Sequence, residues 1–111
     1  MIILPAIDIK DGTCVRLYRG DYSTAHKVAD SYIKTAESFI SSGAKWIHMV
    51  DLDGAKSGRP ENMNIFKEVA ALGVKVELGG GIRSIETAER YIEYGISRVI
   101  FGSAALSDEN L

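Results

Sequence analysis

The chain has 111 residues, with 13 Lys+Arg against 15 Asp+Glu and a formal net charge of -2. That length suits one domain with a modest core. The near-even charge excludes a general attraction to nucleic acid or to an anionic membrane. No apolar stretch approaches the roughly 20 residues that a membrane-spanning helix needs, and Met1–Pro5 is too short for a signal peptide. The single cysteine, Cys14, fits a reduced, cytoplasmic setting. It reads more readily as a small apolar residue than as a nucleophile.

Ile2–Ile7 predicts a buried strand ending at Asp8. Asp8–Ala29 is the longest segment without a helical pattern. Its apolar Cys14–Tyr18 and its glycines Gly12 and Gly20 predict a small hairpin followed by a mobile loop, of a length that commonly serves function. Asp30–Ser42 predicts the first helix, with Ala29, Tyr32, Ile33, Ala36, Phe39 and Ile40 on one stripe and Gly43 as its stop. Trp46–Val50 is the second strand, ending at Asp51. Asn62 is placed to cap the second helix, whose inward stripe is Ile65, Phe66, Val69 and Ala70 and whose stop is Gly73.

Val74–Leu78, the third strand, alternates. The valines belong under the helices and the Lys75/Glu77 pair in a barrel lumen. The strand runs into Gly79-Gly80-Gly81. Ser84 caps a third helix with Ile85, Ala88, Tyr91 and Ile92 inward and Gly95 as its stop. Arg98–Phe101 is the fourth strand, running into Gly102-Ser103, and Ser107-Asp108-Glu109 has the acids of a helix's first turn. Gly43–His48 and Gly95–Ile100 repeat a glycine, a short connection and an apolar strand.

The class is α/β. The architecture expected is a parallel (βα)4 half of a TIM barrel, with residues 1–111 as a single half-barrel domain of four βα units whose last helix is truncated. A flavodoxin-like sheet with helices on both faces is the structural competitor. An isolated half would expose the edges of its first and fourth strands and an open inner face, which favours closing into a barrel as a homodimer or with a complementary C-terminal half.

Strand ends carry the candidate chemistry. Gly79, Gly80 and Gly81 let backbone N–H groups close around an anion at the start of a helix, or serve a tight turn. Gly102 and Ser103 repeat the pattern on the next strand, and the pair of loops together reads as a phosphate site. Arg83 is placed to contact the same anion, or else is a solvated arginine at a helix start. Arg16 and Arg19 lie in the long segment, where one of them is placed to reach a second anionic group when the loop closes, or else Arg19 is a surface residue. Asp8 is either an acid–base carboxylate in a barrel mouth, its pKa raised by burial, or a turn cap. Asp51 and Asp53 orient substrate hydroxyls, bind a metal or shape their loop. His26 and His48 are isolated, so no cluster has metal-ligand spacing and none is expected. His48, inside an apolar strand, reads as a satisfied interior residue.

LPAIDIKDGTCVRLYRGDY, HMVDLDGAKSGRPEN, VELGGGIRS and VIFGSAA together resemble the N-terminal half of the phosphoribosylformimino-5-aminoimidazole carboxamide ribotide isomerase family of histidine biosynthesis, which are (βα)8 barrels. The match runs in order over the whole chain. The sister cyclase family typically has Cys before the aspartate, where this chain has Ile7, and lacks the VRLYRGDY-like segment. The resemblance implies an Amadori rearrangement of a bisphosphorylated ribotide from aminoaldose to aminoketose, with no cofactor and no metal. It implies Asp8 as one catalytic carboxylate and Gly81, Gly102 and Ser103 at one substrate phosphate. Arg16, Gly20 and Arg83 would touch substrate as the first loop closes, and Asp51 would help line the site. The family's second catalytic aspartate and second phosphate site fall beyond this half. The other readings are a non-catalytic phosphate- or sulfate-binding scaffold or assembly module, and a phosphoribosylanthranilate isomerase-type activity.

Overall fold

A computed structural model describes residues 5–18, 21–27 and 32–101. Among these, the elements run β1 (Ala6–Lys10), β2 (Thr13–Tyr18), β3 (Asp21–Lys27), α1 (Tyr32–Ser41), β4 (Trp46–Asp51), α2 (Leu52–Ser57), α3 (Met63–Ala70), β5 (Lys75–Gly79), α4 (Ile85–Glu93) and β6 (Arg98–Val99). They form one sheet in the order β3-β2-β1-β4-β5-β6. β1, β4, β5 and β6 are parallel and follow one another in chain order, while β2 and β3 are added antiparallel outside β1. A sequential parallel order with helices between strands is that of a partial (βα)8 barrel; a flavodoxin-like sheet would reverse its strand order partway.

The first strand lies further along the chain than the sequence suggested. Asp8 does not end it but stands mid-strand, opposite Val15 on β2 and Val50 on β4. The cause is the Asp11-Gly12 turn, where both residues have positive φ (53° and 74°) as a tight hairpin requires, so pairing continues through Lys10 and Thr13. β3 occupies part of the segment expected as a loop. The hairpin also covers the β1 edge over Asp8–Lys10, so the outer strands of the sheet are β3 and β6, not β1 and β6. Residues 1–4, the expected start of the first helix and the fourth helix signal at Ser107 lie outside the described residues.

α2 was not anticipated. Asp51 closes β4 and caps this short helix by accepting from Gly54 N at 2.8 Å, and Gly58 ends it at φ 83°. Asn62 does stand at the N-cap of α3, yet its side chain makes no cap hydrogen bond. Ser84 caps α4 as expected, its Oγ accepting from Thr87 N at 3.1 Å.

The core lies between the sheet and the helices. Ile7, Ile9, Ile47, Met49, Val76 and Leu78 meet Ala36, Phe66, Val69, Ala88 and Tyr91, and Phe66 and Tyr91 pack edge to face with centroids 6.3 Å apart. The α4 stripe is only half used: Ile85 and Ile92 remain 68% and 49% exposed. α4 sits beside the two-residue β6 at the rim of the sheet, so the outer half of its stripe meets no described element. Lys75 and Glu77 alternate onto the opposite face of the sheet, beside Asp8, Trp46 and His48.

Candidate active site at the carboxyl ends of the strands

The turns that leave β1, β4 and β5 meet at one edge of the sheet and are locked together. Asp11 N donates to Asp53 Oδ2 at 2.7 Å, tying the β1–β2 turn to α2. Asn62 Nδ2 donates both to Asp53 Oδ2 at 2.9 Å and to Asp51 Oδ1 at 2.7 Å, so its amide is oriented by these two carboxylates. Asp51 is fully buried and also accepts from Gly54 N at 2.8 Å, Glu61 N at 2.9 Å and Asn62 N at 3.1 Å. A buried carboxylate saturated this way organises backbone. Of the roles open to Asp51, shaping its loop is the one that these contacts describe. Asn62 escaped sequence reasoning as part of this clasp because its capping position is locally more obvious than its distant partners.

Two of the three consecutive glycines are required by packing. Gly80 has φ 102°, and a Cβ there would stand 2.3 Å from the Asp51 carbonyl oxygen. Gly81 has φ 80°, and its Cβ would stand 2.7 Å from the Arg59 carbonyl oxygen. The β5 turn therefore passes directly over the backbone that Asp51 organises. Gly79 is less constrained, with only the Ile100 Cβ at 3.8 Å. Arg83 is exposed beyond the glycines, and its guanidinium lies over Gly58, where a Cβ would come within 2.9 Å of Nη1.

Asp8 lies apart from this clasp, half-buried on the inner face of β1. Burial raises its pKa, with the charge of His48 opposing. Arg16 is described as a backbone position in β2, opposite His26. Gly20, Gly102 and Ser103 lie outside the described residues, so the expected second phosphate loop is not part of this geometry. Two open depressions of about 670 and 560 Å³ flank Arg59, Glu61 and Asn62, and neither is lined by Asp8 or the three glycines. Among the described residues no three His, Cys, Asp or Glu side chains converge as metal ligands, and no described helix is long and apolar enough to cross a membrane.

A family profile described as "Histidine biosynthesis protein" matches residues 2–111. The chain belongs to that family. Among its relatives, a protein of Oceanobacillus iheyensis is 51% identical over 109 residues, which are 97% of this chain and 45% of that protein. One of Clostridium kluyveri is 52% identical and one of Clostridium beijerinckii 54% identical, each over 112 residues that span 100% of this chain and 47% of the relative. All three relatives are named 1-(5-phosphoribosyl)-5-((5-phosphoribosylamino)methylideneamino) imidazole-4-carboxamide isomerase. The chain thus spans about half the length of the family members it matches. In (βα)8 barrels generally, active sites are built on the turns at the carboxyl ends of the parallel strands.

Proposed function

We propose that this chain supplies the amino-terminal half of a ribotide isomerase site and catalyses, when completed by a second half, an Amadori rearrangement of a bisphosphorylated aminoaldose. The observation that carries this reading is the 52% identity over the whole chain to a relative named as such an isomerase. In the reaction a proton passes to the sugar ring oxygen as the C1–O bond breaks, and the amine lone pair forms a C=N bond. A proton then leaves C2 as its electron pair forms an enolamine; C1 gains a proton and the C2 hydroxyl loses one, giving the C2 ketone with no net change of oxidation state. Asp8 is assigned one of these transfers: its raised pKa keeps a protonated fraction nearer neutral pH, as an acid needs. No metal or cofactor is assigned.

Gly79, Gly80, Gly81, Gly102 and Ser103 are assigned to one substrate phosphate, with Arg83, Arg16 and Gly20 reaching other parts of the ligand. Asp51 serves this site through the loop it holds rather than by touching substrate. The second acid–base group and the second phosphate site come from the completing half, which is either a carboxyl-terminal half or a second copy of this chain. The setting assigned is cytoplasmic. The test is turnover of the ribotide by this chain alone, and by this chain mixed with a carboxyl-terminal half, with Asp8→Asn as control. Turnover lost in Asp8→Asn while phosphate affinity is retained supports isomerisation. Phosphate affinity with no turnover in either setting reduces the chain to a binding scaffold.

A further inference from the structure

The inner face of the sheet carries a chain of polar side chains that the proposed reaction leaves unused. His48, Glu77 and Arg98 are register partners on three neighbouring parallel strands, so they stand level on one face. Arg98 Nη1 donates to Glu77 Oε2 at 3.0 Å, and Glu77 Oε1 lies 2.8 Å from His48 Nδ1. The Arg98 guanidinium also lies over the Trp46 ring, 4.7 Å from its centroid, which restrains it further. On β1 the register partner of His48 is Ala6, too small to fill the layer, and the next inward residue is Asp8. Register therefore sets Asp8 diagonally beside His48 on the same face, and the charge of His48 opposes the rise that burial gives the Asp8 carboxyl.

The direction of the His48 bond follows from its partner. Arg98, and then His48, hold Glu77 below the usual carboxylate range, so it is ionised at neutral pH and can only accept. The proton in the bond therefore sits on His48 Nδ1, and in the neutral ring the lone pair is on Nε2. Among the described side chains, the other titratable groups around Asp8 are Lys10 on its own strand and Cys14 on β2. Lys10 Nζ is held by Asp11 at 3.0 Å, and burial pushes the Cys14 thiol up, so it stays neutral.

We propose that Arg98 and Glu77 hold the His48 ring through its Nδ1–H, and that the ring so held is the positioning residue for Asp8. This deepens the assignment of Asp8 as an acid–base group and rests on it for its catalytic meaning. The lock itself is testable without turnover, by nitrogen NMR of the imidazoles and carbon NMR of the Asp8 carboxyl in the full 111-residue chain, with His26→Gln to assign the two rings. In the unaltered chain neutral His48 should carry its proton on Nδ1. Glu77→Ala should shift it to the Nε2–H form that prevails in water. Arg98→Met, at the exposed edge, should give a mixture and serves if Glu77→Ala does not fold. His48→Gln should raise the midpoint of the Asp8 titration, because burial then acts unopposed.

An Nε2–H tautomer in the unaltered chain, a tautomer indifferent to both substitutions, or an Asp8 midpoint unmoved by His48→Gln would each overturn the proposal. Persistent turnover in Asp8→Asn with the tautomer as expected would instead sink the acid–base reading and leave the lock standing.

Discussion

At the residue scale, two aspartates of similar sequence context end in opposite situations. Asp51 faces the helices and is fully satisfied; Asp8 faces the inner side and is partly desolvated, with no comparable set of donors among the described residues. Since burial raises the Asp8 pKa, the folded chain holds that proton to higher pH than the unfolded chain does. The contribution of Asp8 to stability is therefore present below its unfolded pKa and is lost as pH rises through the raised folded value. Asp8→Asn removes that loss, so its urea midpoint should exceed that of the unaltered chain at pH 7, with the gap closing toward pH 3. Asp51→Ala removes the acceptor of one buried and three part-buried hydrogen bonds and should cost roughly 3 kcal/mol in urea unfolding. Gly80→Ala combines a φ of 102° with a clash against the Asp51 carbonyl. It should cost about 2 kcal/mol or more in the same measurement.

At the element scale, the helices show which sequence signals are sufficient by themselves. Ser84 caps α4 through a hydrogen bond three residues away, an interaction complete within the segment. Ser84→Ala should lower the thermal midpoint by an amount equivalent to about 1 kcal/mol. Asn62 stands at the same position of α3 but spends its side-chain amide on Asp51 and Asp53. The local cap signal is not realised there, and the side chain is oriented by partners that only the fold brings near. The β1–β2 hairpin is a third case: the Asp11-Gly12 turn is local, whereas its consequence, an Asp8 flanked by strands on both sides, depends on β4 as well.

At the scale of the whole molecule, the inner face of the sheet and the outer side of α4 remain uncovered among the described residues. The exposed Ile85 and Ile92 and the half-exposed row of Asp8, Trp46 and His48 are surfaces that a second half would bury. Light scattering of the purified chain should find a dimer at micromolar concentration, and a bisphosphorylated analogue should favour it. A folded monomer under both conditions would exclude closure by a second copy. A barrel closed in this way would use the β6 edge and the part of β1 before Asp8, since the hairpin pairs with Asp8–Lys10.

Most of the layout was legible in the sequence, because alternation, helical stripes and stop glycines are consequences of backbone geometry acting over a few residues. Four parallel strands in chain order, the shared face of Lys75 and Glu77, and the Ser84 cap all follow from such local periods. Asp8 and the glycine turn also stood out as candidates, because residue types and the ends of apolar runs are local facts, although the strand that holds Asp8 runs on past it to Lys10. The tertiary structure alone decided what those residues touch. Gly80 and Gly81 are needed because the Asp51 and Arg59 backbones pass close by. His48 is tied to Glu77 and Arg98 because parallel register sets three distant segments level. Side-chain partners more than a turn or a strand away are fixed by how the elements pack, and a one-dimensional pattern carries no record of that distance.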